Sequence, residues 1–472
     1  MSRRTVLKTS AAVGVAAAIP GVPYVRWSTH DRERTEYQES AQRLNDPAKW
    51  HNWSGVESAT PEAITVPENE AELADLLANG GGKIRPVGTG HSFTGLVPTN
   101  GKIVDLAKFA GLVETDPEQM TARIWAGTRL RRGAGLLAEK GLGLHNLPDI
   151  DVQTFAGSFS TATHGTGANL PAIHDHVIGM RLVTPSGDVR DLTATNDPDL
   201  FAAAKVSLGA LGIITQYTLQ LRENYNLNRK LYIRPMADIF DGAEEKFSAH
   251  RHYEFFYGPS SPLGLEVVHD EYQGEPYGLT ETEDSNELLD ALEGIRNHLG
   301  WFPWLRRQTV NALFPQGEME DVGDQYWRML TSSRPFKFNE MEYHLPAEDG
   351  IKAAREIAVI LDSNPNNFYP MEVRKIAEDD AWLSPFNGGP RVSIAVHAAH
   401  TESYAHFFKD IEPVFQKYGG RPHWGKLHSL TATDLKALYP RFDDFIALRQ
   451  ELDPTGRMLN PHLSALFEDQ TS

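Results

Sequence analysis

Residues 85–95, "RPVGTGHSFTG", set a histidine directly behind a Gly-Thr-Gly turn. Successive backbone N–H groups from Val87 to Ser92 can converge on a pyrophosphate, in a nest that needs glycine for its positive φ angles. His91 then stands beside whatever the nest holds. Nothing completes the Rossmann glycine fingerprint with an acidic residue about 20 positions later, so a doubly wound NAD domain is not supported. A second run, "FAGSFSTATHGTG" at 155–167, places Ser158, Ser160, Thr161, Thr163 and His164 among glycines. Its composition alone also fits an ordinary solvated loop.

Farther along, "NFYPMEVRKIA" spaces Glu372 and Arg374 two apart, which on a strand aims both at one face. A solvated ion pair would have the same spacing. In "RVSIAVHAAH", His397 shares its face with Ser393, Ala395 and Ala399, all small, which leaves room for a ligand. The close histidine pairs, His174 with His176 and His397 with His400, have no third ligand placed, so no metal site is expected.

These side chains need elements beneath them. Leu73, Leu76 and Leu77 recur at helical spacing before Gly80 to Gly82 end the helix, and "KIRPV" follows as a strand. "KIVDL" and "TARIWAG" read as strands, residues 130–140 as a helix stopped by Gly141, and 177–193 as a hairpin turning at Pro185 to Asp188. "DLFAAAKVSLGALGIITQYTLQL" reads as helix, Gly-rich turn and strand. From about 225 the texture changes to longer alternating, aromatic-rich runs, and the Pro- and Gly-punctuated tail resembles the first part again.

The bulk numbers set limits. The 472 residues suffice for two or three domains, and 63 acidic against 45 basic residues leave a net charge of −18, so no nucleic-acid surface is expected. The absence of cysteine excludes disulfides, Cys-ligated zinc, iron–sulfur clusters and a cysteinyl flavin bond. At the N-terminus, Arg3 and Arg4 precede a short apolar run, the arrangement of a twin-arginine export signal, too short to span a bilayer. The chain is expected outside the cytoplasm, periplasmic or extracellular, or membrane-associated with the signal uncleaved.

Four motifs in order, "RPVGTGHSF", "AGSFSTATHGTG", "SLGALGIIT" and "RPHWGK", followed by "DPTGRMLN", resemble the FAD-dependent oxidase family typified by vanillyl-alcohol oxidase. Within it they resemble the aldonolactone oxidase (D-arabinono-1,4-lactone and L-gulonolactone) and alditol oxidase branch, from about Trp53 to His462. The resemblance implies an α+β, two-domain FAD-binding fold with an antiparallel-sheet substrate or cap domain. Its expected divisions are an export signal at 1–27, an FAD domain at 50–224, a cap at 225–424, and a segment returning to the FAD domain at 425–472.

In that family the motif histidine bonds covalently to the flavin 8-methyl group, which makes His91 the tether. The resemblance sets Pro86, Val87, Gly88, Thr89, Gly90 and Ser92 on the FAD pyrophosphate. It sets Asp149, Thr154, Gly157, Ser158, Thr161, Ala162, Thr163, His164 and Ile214 at other FAD-contacting positions. Glu372, Arg374, His397 and Lys426 match the family's active-site residues: His397 the general base, Arg374 and Lys426 stabilising negative charge, Glu372 orienting Arg374 or binding hydroxyls.

The implied reaction is oxidation of an alcohol group of an aldonolactone or related sugar derivative, with hydride passing to flavin N5 and oxygen accepting the electrons to give hydrogen peroxide. The alternatives are a dehydrogenase using a cytochrome or quinone, and a non-catalytic flavin- or sugar-binding protein. Two departures put a simple polyol in doubt: alditol oxidases carry Ser where this chain has Asp149 and Thr where it has Ala399. At the position governing oxygen access, lactone dehydrogenases of the branch carry Ala and oxidases commonly Gly or Pro; this chain has Pro148, which favours oxygen.

Overall fold

The computed structural model describes residues 22–33, 49–278, 287–332 and 336–468. The export-signal motif at Arg3 and Arg4 lies outside them. The fold is α+β. Asn69 caps helix Glu70–Asn79 by accepting from Glu72 N, and Leu73 and Leu77 bury the helix's apolar stripe. This helix joins two strands of a parallel three-stranded sheet ordered Ala63–Thr65, Lys102–Asp105, Ile84–Val87. A five-stranded antiparallel sheet packs beside it, built from strands Leu112–Asp116, Thr121–Trp125, Val177–Val183, Val189–Leu192 and Ile213–Gln220.

The rest of the chain builds an eight-stranded antiparallel sheet. Its spatial order is Gly317–Gln325, Asn226–Pro235, Leu263–Tyr272, His252–Tyr257, Met371–Ile376, Arg391–Ala399, Phe338–Pro346 and Arg421–Pro422. Strand Phe338–Pro346 is buried along nearly its whole length, although it carries two glutamates and a histidine. One hydrophobic core runs through all three sheets. A second, small core of Leu263, Ile295, Leu299, Val310 and Phe314 holds helices Glu287–Leu299 and Pro303–Leu313 against the large sheet.

Two long-range ties set the site. The fully buried Arg85 donates to the carbonyls of Leu96, Leu208, Gly209 and Met458 at 2.6–2.9 Å, so the strand before the Gly-Thr-Gly turn is locked to the "SLGALG" loop and to the C-terminal tail. Phe93 N donates to Gly425 O at 2.7 Å and Thr94 Oγ1 to Trp424 O at 2.9 Å, which brings the "RPHWGK" turn onto the His91 segment.

Helix Val22–Ser28, which overlaps the last residues of the segment expected to be signal, packs on the cap: Trp27 Nε1 donates to the carbonyls of Arg296 and Asn297, both at 3.1 Å. Tyr24 and Trp27 supply aromatic surface that an export signal does not need and a folded helix buries.

Candidate active site

Three adjacent strands present polar groups in register. Across strand Arg391–Ala399, Ala395 lies between Glu372 and Glu342, Ser393 between Arg374 and His344, and His397 opposite Glu340. Directly opposite residues of antiparallel strands share a face. Two charged rows therefore flank a row of small side chains, and over it opens a cavity of about 480 Å³ whose wall includes Glu340, Glu342, Glu372, Arg374, His397, His423 and Lys426.

The charged groups interlock. Arg374 pairs with Glu372 and donates through Nε to Glu254 Oε2 at 2.6 Å. Lys426 Nζ pairs with Glu340 Oε2 and lies 3.9 Å from Glu342 Oε2. Its turn is pinned by His423 N to Glu342 O and Leu427 N to Glu340 O, each 3.0 Å. His397 donates from Nδ1 to Pro370 O at 2.9 Å, which turns Nε2 toward Glu340 Oε1 at 3.6 Å. Glu342 Oε1 meets His164 Nε2 at 2.9 Å and accepts from Ser393 Oγ at 2.5 Å.

Burial opposes charge on Glu340, Glu372 and His397, and the neighbours decide the outcome. For Glu340 burial pushes upward, but Lys426 and His397 outweigh it and hold the carboxyl at about 2. For Glu372 burial prevails over Arg374, helped by the negative charges of Glu254 and Asp149, and the pKa rises to about 7. Burial lowers His397, yet hydrogen bonding to and charge on Glu340, with Glu372, bring it above its ordinary value. One site thus holds two carboxyls pushed in opposite directions, an arrangement suited to separating proton transfer from charge stabilisation.

Beyond Lys426 the cavity opens into a cleft of about 1190 Å³, and the two share Ile150, Gln153, Thr163 and His423 as well. The backbone from Pro86 to Ser92 forms one wall. Gly90 has φ 68°, and a Cβ on Gly88 would sit 2.5 Å from Thr154 Oγ1, so side chains there would fill the cradle. His91 stacks on Trp53 with centroids 5.1 Å apart; burial, then Lys426 and Arg129, lowers its pKa to about 4. This long cleft, with glycine-opened backbone beside a neutral imidazole, fits FAD.

Of the residues expected at the cofactor, Pro86, Val87, Gly88, Thr89, Gly90, His91, Ser92, Thr154, Gly157, Thr161, Thr163 and Ile214 line the cleft. Asp149 and His164 line the smaller cavity instead. Ser158 and Ala162 line neither: Ser158 Oγ donates to Phe155 O within its own helix, and Ala162 is a fully buried turn residue with φ 58°. The four expected catalytic residues meet in one cavity. Sequence reasoning missed Glu340, Glu342 and Glu254; the first two carry the same two-residue spacing that singled out Glu372 and Arg374. His174 lies 3.1 Å from Asp379 Oδ2 and His176 stacks on His145. Among the described residues, His164, Glu342 and His344 bring ligand-type atoms within 4.8 Å, but Glu342 Oε1 already serves His164 and Ser393.

The sequence pattern of the D-arabinono-1,4-lactone oxidase family matches residues 217–466. The chain belongs to that family. An FAD-binding domain pattern matches residues 61–193, and a twin-arginine translocation signal pattern residues 1–20. L-gulono-1,4-lactone dehydrogenase of Mycobacterium tuberculosis (strain ATCC 25618 / H37Rv) is 34% identical over 88% of this chain and 97% of that one. L-gulonolactone oxidase of Bos taurus is 27% identical, over 89% and 98%, and alditol oxidase of Streptomyces sp. 28%, over 88% and 98%. A solved structure of a solvent-stable cholesterol oxidase shares the fold, with TM-score 0.74 at 16% identity over 89% of this chain and 97% of that one. As a member of the D-arabinono-1,4-lactone oxidase family, the chain is an FAD-dependent oxidoreductase acting on CH–OH groups. It carries a twin-arginine export signal, and among the described residues no helix is long and apolar enough to cross a membrane.

Proposed function

We propose that this protein oxidises a hydroxyl-bearing carbon of an aldonolactone or related sugar derivative, with FAD attached through His91 and oxygen as the electron acceptor. The observation that carries the reading is His397 with its tautomer set: Nδ1–H donates to Pro370 O, which leaves Nε2, at the cavity, as the nitrogen that accepts a proton. FAD, when bound, supplies the hydride acceptor. His397 removes the hydroxyl proton, and Glu340 beside it stabilises the imidazolium that results. Lys426 and Arg374 stabilise negative charge on substrate oxygen as the proton leaves. Glu372, with a pKa near 7, orients Arg374 and takes a hydrogen bond from a neighbouring hydroxyl or gives one. Asp149, placed here by its bond from Ser332 Oγ at 2.6 Å, adds a carboxylate for substrate hydroxyls.

The neutral, Trp53-stacked ring of His91 supports the covalent tether, because only an unprotonated nitrogen can bond carbon. Pro148 at the cavity wall supports oxygen as acceptor, with peroxide as product. The relative named a dehydrogenase favours a second reading, transfer to a cytochrome or quinone. After export the protein works in the periplasm or outside the cell.

The deciding experiment mixes holoprotein anaerobically with L-gulono-1,4-lactone, other aldonolactones and alditols, and follows flavin bleaching. Bleaching by a lactone supports the reading, and bleaching by none of them overturns it. A denatured gel band that fluoresces yellow in wild type and vanishes in His91→Ala tests the tether; a band that survives the substitution moves it elsewhere.

A further inference from the structure

A second large cavity, open to solvent along one side, meets the active site at His397 and Phe338. From there it runs between the large sheet, through Phe256 and Leu265, and the two cap helices, through Leu292, Val310 and Phe314. Val310 and Phe314 also belong to the small separate core of that lobe, with Leu292 packed against it. Apolar side chains gathered along one cleft, rather than scattered singly over the surface, mark a binding groove. A bare sugar lactone gains nothing from such walls, since hydroxyls buried against Leu, Val and Phe would lose their hydrogen bonds.

We propose that this cavity binds an apolar substituent of the substrate, so that the preferred substrate is an amphiphile: a hydroxylated lactone or sugar head at His397 with an alkyl or aryl tail reaching between the cap helices. The proposal rests on the lactone-oxidising reading for the head and on the cavity alone for the tail. The tail belongs to the substrate rather than to an electron acceptor because the cavity meets the site at the residue that takes the hydroxyl proton.

The test compares anaerobic flavin reduction by L-gulono-1,4-lactone with that by its 6-O-acetyl, butanoyl, hexanoyl and octanoyl esters. Each methylene that enters the cavity should raise the apparent second-order rate constant by up to about fourfold. Leu292→Trp, which fills the cavity, should flatten the series so that octanoyl and acetyl esters react alike. A flat series in the wild type overturns the proposal while leaving lactone oxidation intact. If neither the lactone nor any ester bleaches the flavin, the functional reading fails and calorimetry decides the cavity: affinity for ethyl, butyl, hexyl and octyl β-D-glucopyranosides climbs with chain length in wild type and not in Leu292→Trp, or the proposal falls. A decyl benzoquinone that reoxidises reduced flavin faster than its tail-less parent, alongside a flat ester series, would reassign the cavity to an acceptor.

Discussion

Glu340 Oε1 stands 3.6 Å from His397 Nε2, on the face of the imidazole opposite the Nδ1 to Pro370 bond. Burial alone would lower the His397 pKa; the carboxylate reverses the sign and raises it. A raised pKa keeps the proton on to higher pH, and a base must be neutral to accept one. Flavin reduction should therefore rise with pH along a limb lying above the ordinary imidazole value of about 6.5. Glu340→Gln removes the charge and should move that limb to lower pH. Anaerobic rapid mixing across pH measures it; an unmoved limb would assign the titration to Glu372, whose pKa is about 7.

Lys426 is held over the site by its turn and by Glu340. Lys426→Met should leave FAD bound and slow flavin reduction on the order of a hundredfold, the effect of losing one preorganised donor to developing charge. If affinity falls while the maximal reduction rate stands, Lys426 only holds the substrate.

Arg85 joins three parts of the chain through four carbonyls. Arg85→Leu leaves them buried and unpaired, and with each of the four costing about 1–3 kcal/mol the loss should reach at least about 4 kcal/mol. A lower urea midpoint and easier FAD release from a His91→Ala background are the expected signs. An unchanged midpoint would mean that water replaces the guanidinium.

Pro148 fixes its own φ at the cavity wall and has no backbone N–H to donate. Oxygen mixed with substrate-reduced wild type should reoxidise it quickly with stoichiometric peroxide, and Pro148→Ala should be slower. Sluggish wild-type reoxidation beside fast reduction of an artificial dye would establish the dehydrogenase reading instead.

What the sequence discloses follows the range of each interaction. Helix Glu70–Asn79, the hairpin at Pro185 to Asp188 and the shared face of Glu372 and Arg374 rest on local periodicity and turn chemistry, and all are present. Glu340 and Glu342 obey the same period, but alternating acids on a strand read as a solvent-facing row. They are buried because strand Phe338–Pro346 lies inside an eight-stranded sheet whose order no local pattern encodes. Arg85 is silent for the same reason, since its partners stand 11, 123, 124 and 373 positions away. Ser158 and Ala162 fell within a motif whose flanking residues reach the cleft; the helix Phe155–Ser160 turns Ser158 inward, and the turn after it buries Ala162.

The helix at Val22–Ser28 bears on how the enzyme would be manufactured. The ring of Trp27 occupies the space that any side chain at Gly300 would need, a Cβ there falling 2.0 Å from Trp27 Cζ2. A recombinant gene trimmed to begin at Thr29, in the belief that everything upstream is leader, would empty that slot and bare the carbonyls of Arg296 and Asn297 on a helix that also walls the apolar cavity. A gene begun at Val22 omits the matched signal pattern, residues 1–20, and keeps those contacts.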